Sequence, residues 1–112
     1  MEILYNTTFS LPRELEEKFV SYMQERYIPA ILQAGVLYRP LLSRIVNRAD
    51  ESGDVSYALQ FIAPSREDLG AYLSGRGRVC LEDLLGAFGS AVMGFVTMME
   101  LVPLATLAHL PN

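Results

Sequence analysis

Apolar residues along this chain recur at two spacings, and the order in which those spacings alternate leaves few folds open. Residues 2–10 alternate, with Ile3, Tyr5, Thr7 and Phe9 on one side and Leu4, Asn6 and Thr8 on the other, the period of a strand. Pro12 follows, suited to a first helical turn because its missing N–H costs nothing there. The spacing then lengthens to three and four residues through Leu15, Phe19, Tyr22, Met23, Ile31 and Leu32, while Arg13, Glu14, Glu16, Glu17, Lys18, Gln24 and Glu25 fill the other side. Gly35 ends this helix, and Pro29 predicts a bend or division within Tyr27–Pro29, because proline removes one backbone hydrogen bond and crowds the preceding turn.

Residues 36–48 read as a second strand, and Pro40 confines it to a sheet edge. Residues 49–54 form a charged hairpin loop, after which Val55, Tyr57, Leu59 and Phe61 alternate with Ser56, Ala58, Gln60 and Ile62. Ser65-Arg-Glu-Asp68 has the form of a capping box and opens a second helix through Leu69, Tyr72 and Leu73. Gly75–Arg78 interrupts that helix, and Cys80 to Phe88 resumes it. Residues 91–102 complete the pattern as a strand that is apolar on both faces.

The order βαββαβ predicts an α+β, ferredoxin-like sandwich: a four-stranded antiparallel sheet of order 4-1-3-2 with both helices on one face. Strand two is then an edge, as Pro40 requires. The expected organisation is one domain over residues 1–102 and a C-terminal tail over 103–112. The bulkier alternating sets, Ile3, Tyr5 and Phe9 with Val55, Tyr57, Leu59 and Phe61, should face the helices, which leaves Asn6 and Gln60 on the open face. That open face is half apolar, and hydrophobic residues make up 51% of the chain. A second copy packed sheet against sheet is the simplest cover, so a homodimer of the dimeric α/β-barrel kind is expected.

Charge narrows the partners. Nine Lys and Arg against thirteen Asp and Glu leave a net charge of −4, the wrong sign for a phosphate backbone, so nucleic acid is not an expected partner. The most apolar stretch, 91–108, is broken by Gly94, Thr97, Glu100, Pro103 and Thr106, so no membrane span is expected. A single cysteine and the lack of a signal-peptide pattern point to the cytoplasm.

"YNTT" at 5–8, "YMQERYIPAILQAG" at 22–35, "YALQF" at 57–61, "SREDLGAYL" at 65–73 and "FGSAVMGFVTMMEL" at 88–101 resemble the small bacterial proteins, mainly of Bacteroidetes, grouped as domain of unknown function 4286. The resemblance spans residues 3–102 and implies a ferredoxin-like dimeric subunit with no assigned activity. The chain departs from that pattern at Tyr27, where the family carries a His before Ile-Pro, and in the Gly75–Arg78 segment.

Candidate chemistry is sparse. Asn6 and Gln60 share the open face, where two amides would present donors and acceptors to a ligand or to the partner's backbone; Tyr57 and Tyr27 complete the candidate ligand-binding set. His109 reads as an exposed tail residue and Cys80 as a buried, inert thiol beside Arg76 and Arg78. Met93, Met98 and Met99 read as core filling rather than soft metal ligands. Arg44 and Arg48 share one face of the edge strand and Arg39 the other, charges that discourage edge-to-edge aggregation. No catalytic group, metal or cofactor is implied. The expected function is a non-catalytic module that binds a small apolar ligand or a protein partner. The alternative is a cofactor-independent or haem-dependent monooxygenase of the dimeric α/β-barrel class.

Overall fold

The structure, a computed structural model, describes residues 1–46 and 53–104. The expected 49–54 hairpin loop, Arg48, His109 and most of the tail fall outside these residues, wholly or in part. Four strands, β1 (Ile3–Pro12), β2 (Tyr38–Arg44), β3 (Asp54–Ala63) and β4 (Met93–Glu100), form one antiparallel sheet in the order β2-β3-β1-β4. This is the expected order read from the other edge.

The edge strand β2 accommodates Pro40 through a bulge. Arg39 has a positive φ of 55°, and the β2–β3 register skips between Tyr38 and Leu41. The residue before a proline is kept out of the right-handed helical region, and the bulge takes the missing donor out of the ladder.

Pro12 ends β1 and caps a 3-10 turn, Arg13–Leu15, that leads into α1 (Glu16–Tyr22). The chain then widens into a π-helical stretch, Met23–Tyr27, before α2 (Ile28–Gln33). The predicted interruption therefore takes the form of a π-turn, not a break, and it lies just upstream of Pro29. The cause is local. Pro29 has no N–H to give the carbonyl of Glu25 four residues back, and the N–H of Ile28 reaches five residues back to the carbonyl of Met23.

Ser65 caps α3 (Arg66–Ser74), its Oγ accepting from the N–H of Asp68 at 3.1 Å. The predicted interruption of this helix narrows to a single hinge at Gly75, and α4 (Arg76–Phe88) starts immediately after it.

The odd-numbered side of β1 and β3 is the buried one. Ile3, Phe9, Leu11, Val55, Tyr57, Leu59 and Phe61 join Phe19, Met23, Ile31, Leu69, Tyr72 and Leu84 in one cluster, as the alternation predicts. At its centre Phe19 is fully buried, with ring centroids 5.3 Å from Phe9, 5.5 Å from Tyr57 and 6.1 Å from Phe88. Two sequence expectations fail at the margins. Leu32 is exposed on α2 while its neighbour Ile31 is buried, because adjacent helical residues point about 100° apart. Met93, Met98 and Met99 are not core filling: every residue of β4 is exposed, including these three. Strand parity cannot reveal that β4 is an edge the helices leave largely uncovered. Among the described residues no helix is long and apolar enough to cross a membrane.

Candidate functional site

The helix layer diverges from β4 and leaves a cleft of about 370 Å³ between them. Its floor is Tyr5, Thr7 and Phe9 of β1 with Gly94 and Val96 of β4, paired in register as Phe9 with Gly94 and Thr7 with Val96. Leu81, Leu84 and Leu85 of α4 face the floor, and Tyr27 and Ile31 close the side toward the first helical segment. Leu73, Tyr72, Gly77 and Arg78 line it around the α3–α4 hinge, and Val92 joins the lining where the chain enters β4.

Two glycines shape this space. A Cβ on Gly77 would stand 2.5 Å from Cε2 of Tyr72, so the Tyr72 ring lies against the backbone of α4 at a point only glycine permits. Gly94 leaves the floor open, since a Cβ there would just touch Phe9 and Thr7 at 3.4 Å.

The lining is mostly apolar, and its polar atoms are chiefly phenols. Burial raises the pKa of Tyr5, against the hydrogen bond from Thr7, which acts to lower it. Burial likewise raises Tyr27, and it raises Tyr72 with a smaller contribution from Cys80 nearby. All three phenols are therefore neutral donors at physiological pH, suited to a carbonyl, ether or hydroxyl oxygen on an apolar molecule. Cys80 itself is buried, as expected. Among the described residues no cluster of three His, Cys, Asp or Glu side chains is placed to hold a metal ion.

The four residues singled out from sequence do not gather in one place. Tyr27 lines the cleft. Asn6 and Gln60 face one another across β1 and β3, with Asn6 also opposite Thr97 of β4, on the face away from the helices. There Nδ2 of Asn6 donates to Oγ1 of Thr8 at 3.2 Å, and its Oδ1 is buried without a partner.

Tyr57 lies on the helix side but at the β2 end of the sheet, where its hydroxyl donates to Oε2 of Glu16 at 2.5 Å. Nε of Arg44 donates to the same oxygen at 2.6 Å. These bonds tie α1 to β2 and β3, and the Tyr57 bond foremost, then Arg44, lowers the pKa of Glu16. A carboxylate whose folded pKa is depressed contributes stability that is complete above its ordinary value of 4.5 and is lost as pH falls through the folded value. Urea midpoints measured from pH 6 down to pH 3 should therefore stay level to about pH 4.5 and fall below it. Glu16→Gln should flatten that acid slope. An unchanged slope would mean that the carboxylate is not held in this contact.

Tyr5, Thr7, Tyr72 and Arg78 line the cleft without having been marked by the sequence reading. One signal for them was available: Leu81 and Leu85 repeat at four residues on the side of α4 that carries Arg78 and Gly77, an apolar stripe beside a glycine and a lone cation.

The fold recurs in solved structures of low sequence identity. An ethyl tert-butyl ether d (EthD) family protein from Bacillus halodurans aligns with TM-score 0.70 at 16% identity, over 91% of this chain and 100% of that one. A dimeric ferredoxin-like protein from an uncultured marine organism aligns with TM-score 0.60 at 12% identity, over 91% and 96%. SnoaB, a cofactor-independent oxygenase from Streptomyces nogalater, aligns with TM-score 0.58 at 14% identity, over 91% and 94%. At these identities the likeness establishes the ferredoxin-like, dimeric α/β-barrel type of fold alone. No curated protein matches the sequence. The family model described as Domain of unknown function (DUF4286) matches residues 2–102, the whole βαββαβ unit, and the chain belongs to that family.

Proposed function

We propose that the protein is a homodimeric module that holds a small apolar ligand in the cleft between its helices and β4. The observation that carries this reading is the cleft itself: about 370 Å³ of space, apolar in most of its lining, with neutral phenols to orient an oxygen-bearing ligand. Sites of this volume and composition suit small molecules.

The dimer rests on the opposite face. Leu41, Met93, Phe95 and Met99 are exposed there around the Asn6–Gln60 pair, and a structural neighbour is described as a dimeric ferredoxin-like protein. In this reading Tyr27 belongs to the ligand site, while Asn6 and Gln60 belong to the contact between copies, where the partner or trapped water satisfies Oδ1 of Asn6. Tyr57 remains a structural tie to Glu16.

The neutral fluorophore N-phenyl-1-naphthylamine tests the cleft. It should bind the wild-type protein with blue-shifted emission, and Gly94→Leu, which fills the floor from an exposed strand, should weaken it about tenfold or more without changing the far-ultraviolet circular dichroism. Equal binding by both proteins would place the probe elsewhere and remove the reading.

A second reading, an oxygenase acting on the bound ligand with haem or without any cofactor, draws on the neighbour described as a cofactor-independent oxygenase. No His, Asp or Glu lines the cleft among the described residues, which favours binding over catalysis. Oxygen uptake with hydroquinone-like substrates above the buffer rate would reverse that preference.

A further inference from the structure

The geometry points to an anionic, amphipathic ligand, a monocarboxylate that lies lengthwise in the cleft with its head at Arg78 and its apolar tail toward Val92; this inference rests on the cleft being the binding site.

The cleft is polarised along its length. One end is formed where α3 passes into α4 and lies over the part of β1 that carries Tyr5; Leu73 borders both this end and the neighbouring hollow at Ile3 and Met98. Tyr5, Tyr72 and Arg78 all belong to this end. The other end lies where α4 runs out toward β4, and Phe9, Leu84, Leu85 and Val92 line it, with the ring of Tyr27 edge-on to Phe9 at 6.4 Å between centroids. From Arg78 to Leu85 along α4 is roughly 10 Å. The space is thus long, with its one cation at the α3–α4 end and no charged side chain at the other.

Arg78 is the only charged residue among the described lining residues. Its present partner holds it weakly: Oε2 of Glu82, one turn further on, stands 3.7 Å from Nε, and both side chains are mostly exposed. A guanidinium so placed can turn to a carboxylate at the mouth of the cleft and meet it with two parallel hydrogen bonds. The phenols of the lining are neutral and do not repel an anionic head. An apolar tail alone would use the Val92 end and leave Arg78 idle, whereas a dianion would find only one cation.

Calorimetric titrations with decanoate and with 1-decanol, of equal chain length and differing in charge, test the assignment. Wild-type protein should bind decanoate about five- to tenfold more tightly than decanol at low ionic strength, and the advantage should shrink in half-molar salt. Arg78→Met keeps the apolar stem and should bring the two ligands to equal affinity, with decanol unchanged. Glu82→Gln frees Arg78 and should raise decanoate affinity alone. Decanol bound as tightly as decanoate by the wild type, or a preference that survives Arg78→Met, would overturn the carboxylate assignment while leaving the apolar cleft in place. Binding of neither ligand would overturn the cleft reading and this one with it.

Discussion

Phe19→Ala should remove about 3–5 kcal/mol of folding free energy, the range for truncating a fully buried aromatic side chain. Phe19 has no exposed surface, and its ring meets Phe9 on β1, Tyr57 on β3 and Phe88 at the end of α4. Removing it opens a cavity at the point where both helical segments meet the two central strands, and rings fixed by their own strands cannot collapse into the gap. A domain of this size commonly has about 5–15 kcal/mol in total, so the variant should be marginal, with a midpoint lowered by some tens of degrees. Leu85→Ala is the control. Leu85 is half exposed at the Val92 end of the cleft, so its truncation should cost less than about 1 kcal/mol. Urea unfolding followed by circular dichroism measures both. A Phe19 variant within 1 kcal/mol of wild type would show that the aromatic contacts do not organise this core.

Phe19 was legible in the sequence for the same reason that it is sensitive. It sits four residues after Leu15 and four before Met23, and the helical period marks that stripe wherever it occurs. Strand parity was equally informative on β1 and β3, where one face is dry and the other is not. It lost its force on β4, whose residues are apolar at both parities and exposed at both. Periodicity reports which residues share a side; whether anything lies against that side is a tertiary fact, and here the helices stop short of β4.

The cleft arises from that same shortfall, so its position was hidden for the same physical reason. Tyr27 stands where the resembling family carries a His, and its side chain lines the cleft. Asn6 and Gln60 were picked out as polar residues in apolar strands, and that signal marked the opposite face. Gly77 was visible only as part of the Gly75–Arg78 interruption; its role, to let Tyr72 lie against α4, is a contact between two helices that no local pattern encodes.

Phe95→Asp should convert the protein from dimer to monomer. The face of the sheet away from the helices carries Phe95, 61% exposed, with Met93 and Met99 on the same side of β4 and Leu41 on β2. A two-fold contact between such faces repeats every substitution on both copies, so one variant places two carboxylates in the apolar seam. Neither has a cation opposite it: β1 offers Thr8 across from position 95 and β3 offers Ala58 beyond it. Desolvating an unpaired carboxylate costs more than an aromatic anchor contributes, and losses of about 2–4 kcal/mol per anchor already dissolve a micromolar dimer. Light scattering at micromolar concentration should therefore give about 25 kDa for the wild type, twice the 12.5 kDa chain, and the single-chain mass for the variant. Val79→Asp on α4, an exposed apolar residue outside both the cleft and the sheet, should leave the mass at the dimer value. The buried Oδ1 of Asn6 gives the same contact a second readout. If the partner or a trapped water satisfies that oxygen, Asn6→Ala should weaken the dimer while leaving the monomer's unfolding midpoint nearly unchanged, because Nδ2 gives up only its bond to Thr8. A wild-type chain that scatters as 12.5 kDa at every concentration would leave Phe95 and its neighbours facing water, and the open face would need a different occupant.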